Sequence, residues 1–143
     1  MFRGTNGGTH IVQDLEVGKK FYMDNFGCEV TRQDPVGSGK AMDELIGIEG
    51  VQIVQCWLGQ PDNDRFSLHL IEFVHPKRQA RTELHTVGTQ MIGFSSDDLE
   101  GDCAKLVANG GRLAGKIADF GNGRKLAWGL DPDGVIMRLI QET

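Results

Sequence analysis

Residues 65–73 read RFSLHLIEF, which sets His69 in the middle of an apolar run. An imidazole in that setting can hold a metal ion, move a proton near neutral pH, or sit as an ordinary residue on a half-buried strand. Residue type alone does not choose among these. Other residues with chemical potential are few. Cys28, Cys56 and Cys103 form neither a paired framework nor a C-x-x-C or Cys/His cluster, so none stands out as a nucleophile. Trp57 and Trp128 can stack on a planar ligand, fill a core or line a dimer seam. Asp43 and Glu44 belong either to a lid or to solvated surface, and Lys77-Arg78-Gln79-Ala80-Arg81 reads as a solvated connection.

The composition excludes several classes. A net charge of -5 leaves no concentrated basic face for phosphate neutralisation, so no nucleic-acid partner is expected. No segment approaches the roughly 20 apolar residues of a membrane-spanning helix, and MFRGTNGG at the start has no apolar signal core. With its unpaired cysteines, the chain is expected to be soluble and cytoplasmic. A length of 143 residues suits one domain, or two small modules sharing a core.

The elements that must position these residues are legible through a weak repeat. Gly4-Thr5-Asn6-Gly7 over Gly88-Thr89-Gln90-Met91 sets an offset of 84 residues, which also superimposes Asp14-Leu15-Glu16 on Asp98-Leu99-Glu100. The same offset lays Asn25-Phe26-Gly27 over Asn109-Gly110-Gly111. Asp14 and Asp97 or Asp98 are N-cap residues, and the spacing predicts helices over 15–25 and 99–108, ended by Gly27 and by Asn109-Gly110. Strands are predicted over 28–33, 51–58 and 66–74, then over 112–117, 124–129 and 135–140, with Asp131-Pro132-Asp133-Gly134 as a tight turn. The glycine-rich stretch 35–50 is too long for a hairpin turn and predicts a flap or short helix over a pocket. The fold class is therefore α+β, with two tandem βαβββ modules over 1–74 and 87–143 and a linker over 75–86.

This duplicated unit, with DLEVGKKFYMDNFGCEV after its first strand and WGLDPDGVIMRLIQE at its end, resembles the vicinal oxygen chelate superfamily. That superfamily includes glyoxalase I, methylmalonyl-CoA epimerase, extradiol dioxygenases, and fosfomycin and bleomycin resistance proteins. The resemblance implies a curved mixed sheet around a cup-shaped cavity and, often, a homodimer. It also implies four metal ligands, from the first and last strand of each module. Carried onto this sequence, those positions are Gly7, His69, Met91 and Arg138.

Glycine offers no donor, a thioether suits soft copper, and guanidinium is a permanent cation. No metal or other cofactor is therefore expected at this set. A three-residue gap in the first strand would bring His10 to the ligand position, which keeps a metal-dependent enzyme with unusual ligands as a minority reading. On the main reading, His69 moves a proton and Arg138 stabilises an anionic or carbonyl oxygen, as the catalytic pair of a metal-independent isomerase or lyase. Equally, Arg138 can pair with Glu72, Glu142 or another carboxylate. Gly7, Thr9, Ile11, Trp57, Met91 and Trp128 would then contact a small-molecule substrate, with Gly7 and Met91 leaving apolar room, while His10 and Glu72 face away. The alternative from another class is a small-molecule-binding protein that sequesters its ligand unchanged.

Overall fold

In the computed structural model, residues 7–77 and 87–142 are described below. The chain divides into two compact units, residues 1–79 and 80–143.

The first unit runs β1 (Gly8–Val12), α1 (Leu15–Phe26), β2 (Glu29–Gly37), α2 (Lys40–Ile46), β3 (Gln52–Gln60) and β4 (Asn63–His75). Among the described residues its strands form one sheet in the order β1-β4-β3-β2, with β1 parallel to β4 and the other pairs antiparallel. Helix α1 begins where expected because the Asp14 side chain accepts from the Val17 amide at 3.0 Å. It ends at Gly27, whose φ of 61° is the left-handed conformation that glycine adopts without a Cβ clash. Leu15, Phe21 and Tyr22 recur at helical spacing and bury against Cys56, Leu58, Leu68 and Leu70 of the sheet. Each fully buried leucine adds about 1.5–3 kcal/mol over leaving it in water.

The second unit runs β5 (Met91–Ser95), α3 (Leu99–Ala108), β6 (Arg112–Leu113), β7 (Ala118–Asp119), β8 (Lys125–Leu130) and β9 (Ile136–Gln141). Its described strands order as β5-β9-β8-β6, with β7 also on β8 and β5 parallel to β9. Leu99, Cys103 and Leu106 of α3 are buried, as are Phe94, Ala127, Met137 and Leu139 on the sheet. Both units are thus βαβββ modules of an α+β fold, and the curved sheet expected from the sequence is two mixed sheets, one in each unit.

Two differences from the sequence-based expectations have physical causes. Strand β2 continues past Gln33 to Gly37, because Pro35 stands on an edge strand, where its missing N–H breaks no ladder. The single strand expected over 112–117 is two short ones. Between the pairs Leu113↔Gly129 and Ala118↔Leu126 the outer chain spends two residues more than β8, and Gly115 lies in that bulge. Of the flap or short helix expected over 35–50, the structure has the helix α2, and Asp43 on it accepts from the amides of Gly50 (2.9 Å) and Val51 (3.0 Å). Gly4-Thr5-Asn6 of the repeat and most of the 75–86 linker lie outside the described residues.

Candidate functional site

The helix caps establish which residues of the two modules correspond. Glu72 Oε2 accepts from the Leu15 amide at 2.8 Å, and Gln141 Oε1 accepts from the Leu99 amide at 2.9 Å. Each acceptor lies on the last strand of its module and meets the first residue of its helix. Counting back three residues from each reaches His69 and Arg138, so these two are structural equivalents. Strand alternation puts them on the face of the sheet opposite the helix. Glu72 is structural, as expected: its other oxygen pairs with Lys77 at 3.2 Å.

On the open face of the first sheet, one row crosses all four strands: Thr9, His69, Trp57 and Arg32 are successive cross-strand partners. The His69 ring lies flat on Trp57, with centroids 4.0 Å apart and planes 6° from parallel. The Arg32 guanidinium sits 4.5 Å from the indole centroid. Because β2 and β4 flank β3 on opposite sides, Arg32 and His69 cover opposite faces of the indole. Trp57 therefore offers a ligand its edge rather than a face.

A second row holds the first. Arg32 Nε and Nη2 donate to the two carboxylate oxygens of Asp34 at 2.7 and 2.6 Å. Asp34 is the cross-strand partner of Gln55, and Gln55 Oε1 lies 2.9 Å from His69 Nε2. Arg32, Asp34, Gln55, Trp57 and His69 lie side by side on three adjacent strands. Partial burial is the main cause holding the His69 pKa below its ordinary value; the Asp34 carboxylate opposes this and the Arg32 guanidinium reinforces it. A neutral imidazole, able to accept a proton, is favoured near neutral pH.

Ile53 shares the Gln55 and Trp57 face and is buried at one end of it. A Cβ on Gly37 would lie 2.9 Å from Ile53 Cγ1 and equally close to Met42 Cε, so Met42 of α2 closes that end. Thr9 and Ile11 are exposed at the other edge of the sheet.

On the second sheet the corresponding row is Gly93, Arg138 and Trp128. The buried Asp131 side chain accepts from the amides of Asp133 (2.9 Å) and Val135 (2.8 Å), which closes the β8–β9 turn in this register. Arg138 is exposed, and among the described residues no hydrogen bond or ion pair engages it. Pairing with Glu142 is not what holds it: Glu142 binds Arg124 at 3.2 Å. Trp128 and Met91 are 41% and 40% exposed on the same face.

His10 lies on the other face of the first sheet, beside Leu70, with Nδ1 2.9 Å from the Tyr22 hydroxyl. The shifted alignment would need His10 and His69 on one face of the sheet, and the two histidines point to opposite sides. Gly7 cannot be replaced by a donor either. It has φ of 119°, and a Cβ there would come 2.2 Å from the Ser67 carbonyl oxygen. With methionine and arginine at the other two positions, these residues do not supply a donor set for a hard divalent ion.

A family model described as the glyoxalase/bleomycin resistance protein/dioxygenase superfamily matches residues 9–139. The chain belongs to that superfamily. Among solved structures, a glyoxalase family protein from Bacillus cereus aligns with a TM-score of 0.87 at 16% identity, over 99% of this chain and 95% of that one. The trypanothione-dependent glyoxalase I of Leishmania major aligns at 0.68 and 20% identity, over 99% and 88%. A variant of the fosfomycin resistance protein of Listeria monocytogenes, in complex with Mn(II) and a dihydroxypropylphosphonic acid, aligns at 0.65 and 14%, over 100% and 93%. At these identities the likeness is one of fold. No curated protein sequence matches the chain.

Arg32, Asp34 and Gln55 did not stand out in the sequence. Arg32 and Asp34, like Gln55 and Trp57, are polar or aromatic residues two apart on a strand, a signal that becomes informative only once the cross-strand register is known.

Proposed function

We propose that this superfamily member is a metal-independent isomerase or lyase acting on a small organic substrate with a carbonyl or acidic oxygen. His69 removes a proton from the carbon beside the carbonyl or carboxyl carbon, and the imidazole nitrogen lone pair becomes the new N–H bond. Electrons from the broken C–H bond move through the carbonyl carbon onto the oxygen as an enolate; on the second sheet, Arg138 is the group whose fixed positive charge suits such an oxygen. Return of the proton to the same or a neighbouring carbon gives an epimer or isomer with no oxidant or reductant. Loss of a leaving group from the same enolate gives elimination.

The observation that carries this reading is His69 itself: an imidazole stacked flat on Trp57 on the open face of its sheet, its pKa held below the ordinary value mainly by burial. A cytoplasmic homodimer completes the proposal. The test is ligand fate. Small carbonyl acids that raise the melting temperature of the protein are incubated with it and recovered; isomerised or eliminated product supports the proposal, and unaltered compound overturns it.

A second reading, a sequestering protein, is favoured by the second sheet, where Arg138 stands between exposed Trp128 and Gly93 with no general base in the row. Tight binding with full recovery of the compound would establish it.

A further inference from the structure

We propose that Gln55 is a positioning residue that holds His69 in its Nε2–H tautomer, making Nδ1 the atom that meets the ligand. This rests on the reading of His69 as the proton-transfer group.

Gln55 Oε1 is a carbonyl oxygen and can only accept, so His69 Nε2, 2.9 Å away, must donate. A neutral imidazole carries one N–H, which leaves a lone pair on Nδ1. Among the described residues Nδ1 has no hydrogen-bond partner. The ring cannot easily turn over to exchange its edges, because Trp57 lies flat on it at 4.0 Å. Trp57 is backed in turn by Arg32, which the two bonds to Asp34 hold in place. Gln55 therefore sets the tautomer while the Arg32–Trp57 stack sets the plane.

The ligand class follows. Nδ1 accepts, so the ligand must bring it a proton: an acidic C–H beside a carbonyl, an O–H or an N–H. A compound presenting only lone pairs at that point is repelled.

The test reads the tautomer directly, without substrate. Protein labelled with nitrogen-15 at its four histidines is studied at neutral pH, the His69 signals being identified by their loss in His69→Gln. The expected result is a protonated, slowly exchanging Nε2 and an unprotonated Nδ1. In Gln55→Glu, whose carboxylate also only accepts, the same tautomer should persist. In Gln55→Met, of similar shape but without an acceptor, exchange protection at Nε2 should fall at least tenfold. A proton on Nδ1 in the wild type, or unchanged protection in Gln55→Met, overturns the proposal. Failure of the functional reading is separate: it would appear as turnover that survives His69→Ala, whatever tautomer the spectrum records.

Discussion

His69 and Trp57 stack face to face at 4.0 Å as direct cross-strand partners, and the far side of the indole is covered by Arg32. Burial is the main reason His69 resists protonation, and the indole is its largest flat cover. Trp57→Ala should therefore move the His69 titration midpoint up, toward the ordinary 6.5. A pH titration of the imidazole by NMR reads this, and a midpoint that stays or falls would contradict it.

His10 gives the fold a pH dependence of defined sign. Burial holds its pKa down at about 4 against an ordinary 6.5, so as pH falls through that window the unfolded chain takes up a proton that the folded chain refuses. Stability is full above pH 6.5 and declines toward pH 4, by up to about 3 kcal/mol. Urea unfolding of wild type and His10→Gln should show the difference between them shifting by that amount in favour of the variant. Depression of the His69 pKa acts with the same sign but is common to both proteins, so parallel pH profiles would contradict the assignment to His10.

Gly7 is held by sterics as well as by its backbone angle. Gly7→Ala brings a methyl group within 2.2 Å of the Ser67 carbonyl at a φ of 119°, so β1 must shift from β4. The expected loss is about 1–3 kcal/mol, readable as a lower urea midpoint with an unchanged slope.

Donor chemistry at Gly7, His69, Met91 and Arg138 leads to a further expectation. Elemental analysis of purified protein should find less than stoichiometric zinc, nickel, iron and manganese, and a chelator should leave ligand binding unchanged. One metal ion per chain, required for binding, would contradict the metal-independent reading.

Much of this architecture was legible because it is locally encoded. Asp14 and Asp98 cap helices through bonds to amides three positions on, and Gly27 ends α1 in the left-handed conformation, so their spacing alone locates α1 and the start of α3. Two-residue alternation likewise separates His69 from Leu68 and Leu70 without knowledge of the partner strand. What could not be read depends on register. Gln55 meets His69 across strands, through the pairing of β3 with β4. Arg32 lies within the strand expected over 28–33 but meets Trp57 only through the register of β2 with β3, and Asp34 joins them because β2 continues through Pro35, a residue that ordinarily signals a strand end. The split of β6 from β7 was hidden for the same reason, since a bulge is defined against a partner strand.

Proton transfer from carbon to His69, as proposed, is read most directly by isotope exchange. For a carbonyl compound shown to bind, solvent deuterium incorporation at the carbon beside the carbonyl is followed by NMR in heavy water, with wild type and with His69→Ala. Protein-dependent exchange should fall by about 10²–10⁴-fold in the variant while its unfolding transition is retained. Exchange at the same rate in both proteins would contradict it.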